Sequence, residues 1–466
     1  MTASVKEYFD SIKNKKIAFL GVGVSHTDLI KKFAALGADI TLCDMRSKEA
    51  MGDDIKGFDE LGIKYQLEEH QFDNLERFDM VFRTPGIYFN KPEIQNAIKN
   101  GANITSEMEE FFKICPCKKI AVTGADGKTT TTTIISELLA AQGFTVHKGG
   151  NIGRALLPIA DKIDENDFAV VELSSFQLIS MKYGPDIAVV TNVQPNHLNV
   201  HKDYQEYKDS KKNMIIYQPS ASKTILNYDN DVTRDEYAPF VKGKTIWFSR
   251  RTEPENGAFW DMSTGEIYYK DNGEKIHVMY RSDIALVGNH NVENYLAAIS
   301  ATRGLVDIST IKKVAAAFTG VEHRMELVRE FNGVKYYNDS IASSPDRTIA
   351  GLMAYDKKII LIAGGQNKGL VYDKLGRAIN DKVKVLICMG ETGPIIEECT
   401  KKADNYNPAG IKIFNAVYME QAVDIAKENA TSGDVVALSP ASTSFDRYRN
   451  FEYRGRIFKE IVRGTK

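Results

Sequence analysis

Residues 118–134 read KKIAVTGADGKTTTTTI. An apolar run, Ile120-Ala121-Val122, ends in Thr123-Gly124-Ala125-Asp126-Gly127-Lys128-Thr129-Thr130, and a segment carrying Ile134, Ile135, Leu138 and Leu139 follows. The pattern predicts strand, glycine turn and helix. Glycines let backbone N–H groups close on a phosphate, and a helix N-terminus adds the positive end of its dipole. Lys128 is placed to neutralise β- and γ-phosphate charge, and the Thr129 hydroxyl to sit on Mg²⁺. The turn is two residues shorter between its glycines than the common phosphate loop. We read Gly124, Ala125, Asp126, Gly127, Lys128, Thr129 and Thr130 as an ATP-binding loop; the plainer alternative is a glycine turn before a helix.

Downstream, a buried strand, Asp167 to Val171, runs into Glu172-Leu-Ser-Ser-Phe176-Gln177. A carboxylate just past a strand in such a fold is placed to ligate Mg²⁺; the alternative is an acid capping a helix. Between the loop helix and this strand, Gly149-Gly150-Asn151-Ile152-Gly153 reads as a flexible loop that touches a ligand through its backbone. The strand Ile187–Val190 ends at Thr191-Asn192, and Pro195-Asn196-His197-Leu198-Asn199-Val200-His201 follows as a metal or substrate loop. Tyr204–Tyr217 reads as a helix carrying Lys208, Lys211 and Lys212, with a solvated basic face as its ordinary explanation. Residues 221–282 are rich in turns and strands, a helix opens at Gly288-Asn-His290-Asn291-Val-Glu-Asn294, and Gly320-Val-Glu-His323-Arg324 closes this part.

Upstream, Lys16-Ile-Ala-Phe-Leu20, Gly21-Val-Gly23-Val-Ser25-His26, a helix over Leu29–Leu36, and Ile40-Thr-Leu-Cys43 ending at Asp44 open a Rossmann-like unit. His26 stands at the third glycine of the dinucleotide fingerprint, which argues against NAD. A further strand, Asp79 to Phe82, ends at Arg83-Thr84-Pro85-Gly86-Ile87. Towards the C-terminus, strands end at Asn338-Asp339-Ser340, at Gly364-Gly365-Gln-Asn-Lys368-Gly369, and at Ser439-Pro-Ala-Ser-Thr-Ser444-Phe445-Asp446. Parallel sheets bind ligands at such strand ends. The expected class is α/β with three domains: a Rossmann-like domain over 1–115, a central P-loop ATPase-type domain over 116–320, and a C-terminal Rossmann-like domain over 321–466. The linkers near 115–118 and 319–322 are the expected hinges.

The 466 residues carry 43% hydrophobic and 26% charged residues and a formal net charge of −2, so no global field recruits nucleic acid or anionic membrane. Five scattered cysteines (Cys43, Cys115, Cys117, Cys388, Cys399) argue against a disulfide framework and fit a reducing compartment. Cys115-Pro-Cys117 lacks a second ligand pair and reads as linker. With no signal-peptide core and no apolar run of about 20 residues, a cytoplasmic protein without membrane insertion is expected.

The ordered set Gly-x-x-Gly-Lys-Thr, Glu172-Leu-Ser-Ser-Phe-Gln177, Asn192…His197, His290-Asn291-x-x-Asn294, His323-Arg324, Asn338-Asp339-Ser340 and Leu438-Ser-Pro-Ala…Ser444-Phe445-Asp446…Asn450-Phe451-Glu452 resembles the Mur ligases over nearly the whole chain. The second and last stretches resemble those members that add D-glutamate. The resemblance implies ATP and Mg²⁺, the substrates UDP-N-acetylmuramoyl-L-alanine and D-glutamate, an acyl-phosphate intermediate and a monomer. It implies that Lys128, His197 and Lys211 are catalytic, and that Thr129, Glu172, His197 and a carbamylated Lys211 hold metal. It assigns Asn294, Arg324 and Asp339 to ATP as well, and Val24, Ser25, Asp44, Arg46, Gly86, Asn151 and His197 to the UDP-sugar. D-glutamate falls to Ser343, Lys368, Ser444, Phe445 and Phe451. Three positions depart from the family: Asn196 for an aspartate, Ile341 for a loop lysine, and His26 for a glycine. The competing readings are a relative that adds another amino acid or glutamylates folate, and a non-catalytic nucleotide-binding regulator. A UDP crevice in the first domain argues against folate, and joint retention of Lys128, Thr129, Glu172, Lys211 and Arg324 argues against the regulator.

Overall fold

The computed structural model describes residues 2–465 apart from 198, 199 and 287, and the side chains of Val24, Ser25 and Asp53 also lie outside the described residues. These residues build three sheets in two compact units, one up to Ala285 with Asn289–Ala317 and one from Phe318 onward.

In the first unit, β1 (Lys16–Leu20), β2 (Asp39–Asp44), β3 (Lys64–Leu67), β4 (Met80–Arg83) and β5 (Ile104–Thr105) pair in parallel in the order β3-β2-β1-β4-β5. Chain order reverses between β1 and β4, and a crevice opens at that switch point. Strands covered on both faces read as continuous apolar runs, and Ile17 to Leu20 are fully buried. His26 is buried in the following helix. Its Nδ1 lies 2.7 Å from the Gly21 carbonyl, its Nε2 has no partner among the described residues, and burial pushes its pKa down to about 4. The missing glycine is thus replaced by a neutral imidazole packed edge-on against Phe19.

The second sheet of this unit holds β6 (Lys118–Thr123), β7 (Val146–Gly150), β8 (Phe168–Glu172), β9 (Ile187–Val190), β10 (Lys223–Asn227), β11 (Lys244–Ser249), β12 (Gly257–Asp261), β13 (Glu266–Asp271) and β14 (Glu274–Tyr280). Its order is β14-β13-β12-β11-β10-β9-β6-β8-β7, parallel except for the β12-β13-β14 meander. Strand β6 therefore sits between β8 and β9. Gly149 and Gly150, expected in a loop, end β7 instead: a Cβ on Gly150 would come within 2.2 Å of the Glu172 carbonyl, so glycine lets β7 close on β8 there.

The two sheets are joined by a polar seam. Glu107 is buried and accepts the N–H groups of Leu156 and Leu157 at 2.8 and 2.7 Å, at the start of the 3₁₀ turn Leu157–Lys162. The buried Arg83 donates to the Phe176 carbonyl and to Ser180 Oγ, and Ser180 Oγ donates to Glu109. Lys32 holds Asp161 at 2.7 Å.

The second unit carries β15 (Glu326–Phe331), β16 (Val334–Asn338), β17 (Ile359–Gly364), β18 (Val383–Met389), β19 (Lys412–Ala416) and β20 (Val435–Leu438), ordered β15-β16-β20-β17-β18-β19. Only β15 runs antiparallel. Apolar clusters fill both faces, around Ile360, Ile362 and Phe458 on one and Leu361, Leu375 and Ile379 on the other.

Burial raises Glu107 from 4.5 to about 7, against the lowering effect of the two N–H groups it accepts. The folded chain therefore holds a proton that the unfolded chain releases. The resulting stability is fully present below pH 4.5 and is lost as pH rises through about 7. Glu107→Gln keeps the acceptor and removes the proton equilibrium. Unfolding free energies of that variant from urea titration should fall less between pH 5 and 7 than those of the native chain, by up to about 1.4 kcal/mol per pH unit. Parallel pH profiles for the two would refute the assignment.

Candidate active site

The glycine turn after β6 begins with Gly124 at φ 150° and ends with Gly127 at φ 78°, directly before the helix Lys128–Gln142. The loop is fixed from β9: Ala125 N–H donates to the Asn192 carbonyl (2.8 Å), Asp126 N–H to Asn192 Oδ1 (3.0 Å), and Thr191 Oγ1 to the Asp126 carbonyl (2.6 Å). From the helix Asn289–Thr302, Asn294 accepts from Thr131 Oγ1 at 3.2 Å and donates to Asn291 at 3.0 Å. Thr129 and Thr130 are buried at the first turn of the loop helix.

Two lysine amines meet at this loop. Lys128 Nζ donates to the Gly124 and Ala125 carbonyls at 3.1 and 2.7 Å. Lys211 Nζ donates to the Gly124 carbonyl at 2.8 Å and to Thr123 Oγ1 at 3.3 Å. Lys211 is no part of a solvated face; it is 1% exposed. Burial, reinforced by Lys128, holds its amine well below the usual lysine range, against the pull of Glu172 and Asp126. The neighbouring Lys212 turns away to Asp209 at 2.8 Å, because one residue on a helix is a rotation of about 100°.

At the end of β8, the buried Glu172 accepts from Asn151 Nδ2 at 2.7 Å through Oε1, while its Oε2 has no partner among the described residues. Glu172 caps no helix: Ser174 and Gln177 form the capping box of the turn Ser175–Leu178. An orphaned carboxylate oxygen close enough to act on the charge of the weakly basic Lys211 amine suits a small hard cation. Among the described residues no three His, Cys, Asp or Glu side chains converge.

His197 is exposed at φ 55°, its ring edge-on to Phe176 at 5.2 Å. Phe176 also meets His201, stacked at 5.0 Å with an interplanar angle of 5°. His201 is buried, with Nε2 2.9 Å from Ser175 Oγ and Nδ1 3.1 Å from Glu206. Glu206 accepts from Tyr88 Oη and Asn90 Nδ2 of the first sheet's loop at 2.6 and 2.7 Å. The sequence named His201 only as part of a loop; its spacing from Glu206 at the start of a helix was the available signal.

In the first-sheet crevice Asp44 accepts Val22 N–H at 3.2 Å and is gripped by Arg46 at 3.0 Å, which also reaches Asp54 at 2.9 Å. Burial alone would raise Asp44, but hydrogen bonds from Arg46 and Val22 hold it below the usual carboxylate range. Gly86 is exposed in the turn after β4. Of the expected UDP-sugar residues, the side chains of Val24 and Ser25 lie outside the described residues.

In the second unit, Asp339 follows β16. It accepts Met325 N–H at 3.2 Å and Ser439 Oγ at 2.8 Å, and burial raises it to about 6. Arg324 lies near enough to act on that charge, and its Nε is buried without a partner among the described residues. Ser343, Lys368, Ser444, Phe445 and Phe451 follow the carboxyl ends of the adjacent strands β16, β17 and β20. The Lys368 amine stands 4.8 Å over the Phe445 ring, and Ser340 Oγ donates to the Phe451 carbonyl at 2.8 Å. Ile341 offers no donor from its side chain, but Arg347 donates to its carbonyl at 3.3 Å.

The parallel sheets and the phosphate-type loop define an α/β nucleotide-binding enzyme fold. Family models match in series: "Mur ligase MurD-like, N-terminal domain" over 15–106, "Mur ligase middle domain" over 122–302, and "Mur ligase, glutamate ligase domain" over 323–442. The chain belongs to the Mur ligase family. It is 49% identical over 464 residues to the UDP-N-acetylmuramoylalanine–D-glutamate ligase of Acetivibrio thermocellus, covering 99% of both chains. It is 44% identical to the enzyme of the same name from Ruminiclostridium cellulolyticum, covering 100% of both. The solved MurC of Thermotoga maritima shares the fold at a TM-score of 0.58 and 18% identity, over 97% of this chain and 100% of that one. MurF of the same organism, solved in complex with ADP, does so at 0.54 and 18%, over 97% and 96%. Among the described residues no helix is long and apolar enough to cross a membrane.

A Cβ on Gly127 would stand 2.4 Å from Asn294 Oδ1, whereas one on Gly143, also left-handed, would meet nothing within 4 Å. Gly143→Ala should cost only backbone strain, about 1 kcal/mol. Gly127→Ala should add the clash with Asn294 and lower the melting temperature further. Equal shifts for the two variants would contradict the packing.

Proposed function

We propose that this chain is an ATP-dependent amide ligase that joins D-glutamate to the alanyl carboxylate of UDP-N-acetylmuramoyl-L-alanine, releasing ADP and phosphate in peptidoglycan precursor synthesis. Full-length identity of 43–49% to ligases of that name supports the reading. The observation that carries the chemistry is the convergence of Lys128 and Lys211 on the Gly124 carbonyl at the head of a helix. Two anions, a carboxylate and a γ-phosphate, have to meet, and the positive charge of Lys128 lowers that barrier, while the neutral Lys211 amine beside it is free to become a metal ligand.

Lys128 swings from the loop carbonyls to the β/γ-phosphates, while Gly124 to Thr130 and Asn294 hold the nucleotide. Thr129, Glu172, His197 and Lys211 are the residues that would hold Mg²⁺. The ion supplies charge screening at the phosphates. Lys211 fits this role after carbamylation: a buried amine held below its usual range is neutral and nucleophilic, and its carbamate is an anion. Asp44, Arg46, Gly86, Asn151 and His197, with Val24 and Ser25, take the UDP-sugar and present its carboxylate for phosphorylation. D-glutamate's amine attacks the acyl phosphate, and the tetrahedral adduct expels phosphate.

The amino acid brings two carboxylates, and an unpaired buried anion costs several kcal/mol. Ser343, Lys368, Ser444, Phe445 and Phe451 form its pocket. Ile341 replaces the family's lysine, and we assign Arg347, whose guanidinium reaches the Ile341 carbonyl, as the substitute cation.

Phosphate release with UDP-N-acetylmuramoyl-L-alanine, ATP, Mg²⁺ and an amino-acid panel tests the reading. D-glutamate should be the best acceptor; preference for a neutral or L-amino acid would overturn the substrate and leave the ligase chemistry. Lys128→Ala should lower kcat about 10²–10³-fold, equivalent to about 3–4 kcal/mol, with UDP-sugar binding intact. Lys211→Ala should lose activity and regain part of it with a small added carboxylic acid, and Lys212→Ala should stay active. Lys368→Ala and Arg347→Ala should each raise the KM for D-glutamate about 10-fold or more, the effect of a charged hydrogen bond worth about 1.5–3 kcal/mol. An unchanged KM for Arg347→Ala would remove that residue from the pocket.

A further inference from the structure

Cys115 and Cys117 flank a proline where the last helix of the first sheet's domain, Glu107–Ile114, gives way to β6. Cys115 closes that helix, its N–H donating to the Phe111 carbonyl at 2.8 Å. Its backbone is extended (φ −58°, ψ 121°), and in extended chain residues i and i+2 face the same way. The two sulfurs accordingly stand 3.5 Å apart. Lys119 brings its amine to 3.5 Å from the Cys117 carbonyl. Cys115 is partly exposed and Cys117 is 2% exposed. The remaining cysteines lie elsewhere, Cys43 and Cys388 buried and Cys399 partly exposed.

We propose that Cys115-Pro-Cys117 is a redox-reactive dithiol, a covalent modification site for low-molecular-weight disulfides, with Cys115 as the attacking thiol and Cys117 as the resolving one. The roles follow from access and charge. Only Cys115 is open to a reagent. The facing Cys117 sulfur, aided by Lys119, holds Cys115 below its usual value and favours its thiolate. The Cys115 sulfur beside it and burial push Cys117 upward.

The Cys115 thiolate attacks a disulfide RSSR, forming a Cys115–SR mixed disulfide and expelling RS⁻. Cys117 gives its proton to solvent, attacks the Cys115 sulfur and expels the second RS⁻. Two protein thiols lose two electrons and two protons, and RSSR becomes two RSH. Closure needs the sulfurs to move from 3.5 Å to about 2.05 Å, a small shift in a ring of one intervening residue. Such a tight ring strains the bond, and strained disulfides are oxidising and easily reversed. The product would pin the first domain's last helix to the strand that feeds the phosphate loop.

The test uses the folded full-length chain in graded ratios of oxidised to reduced glutathione. Samples are acid-quenched, alkylated under denaturing conditions and mapped by mass spectrometry. The peptide spanning Cys115 and Cys117 should lose both alkylation sites and two hydrogens at oxidising ratios, and regain them with reduced glutathione. Cys399, partly exposed with its thiol pushed up to about 11, should remain alkylatable throughout. Cys117→Ser should trap glutathione on Cys115, and Cys115→Ser should leave Cys117 unmodified. No loss at any ratio, stable glutathionylation of the native pair, or glutathione on Cys117 in Cys115→Ser would each overturn the proposal.

Discussion

Two amines share one carbonyl oxygen. Gly124 receives Lys128 from its own helix and Lys211 from a helix far along the chain, and the second of these is buried. Like charges at such range repel strongly in a protein interior, so the arrangement favours either a neutral Lys211 or an anion between them. Both outcomes serve phosphate chemistry. The loop bears this only because Asn192 and Thr191 clamp it from β9, and β9 reaches it only because it pairs directly with β6.

The same economy governs the other strand ends. Glu172 ends β8 on the opposite side of β6, with one oxygen held by Asn151 and the other without a partner among the described residues. In the second unit, three adjacent strands deliver Ser343, Lys368 and Ser444 to one edge. Parallel pairing puts carboxyl ends together whatever the distance in sequence, so side chains that begin the next loops gather in a crevice. Charge is then placed by burial: Asp339 rises to about 6 and Glu107 to about 7, while Asp44 stays ionised through Arg46.

The seam between the first two sheets gives this chemistry a frame. Arg83, Glu107, Glu109 and Glu206 are charged or polar groups taken from water, each with partners across the seam. Breaking one partner of such a buried contact costs more than the contact contributes, which makes the seam specific as well as stable. His201 belongs to it: Glu206, Ser175 and the Phe176 ring link the loop after β4 to the ring that meets His197.

Local sequence was enough for the phosphate loop, for the strands that run straight into the motifs, and for the order of those motifs. Each is a local signal: an apolar run stops at glycine, an acid or asparagine follows, and a helix period begins. The family's resemblance added Lys211, which its position on a charged helix disguised as a solvent-facing lysine. Tertiary structure decided the rest. That Lys211 is buried, that Gly149 and Gly150 finish a strand, that Thr191 and Asn192 clamp the loop, and that Cys115 faces Cys117 depend on which strands become neighbours and which helix face meets them. Strand order is set by the burial of whole apolar faces, summed over segments hundreds of residues apart. No window of sequence holds that sum, so local reading names the groups and only the packed sheets say which of them meet.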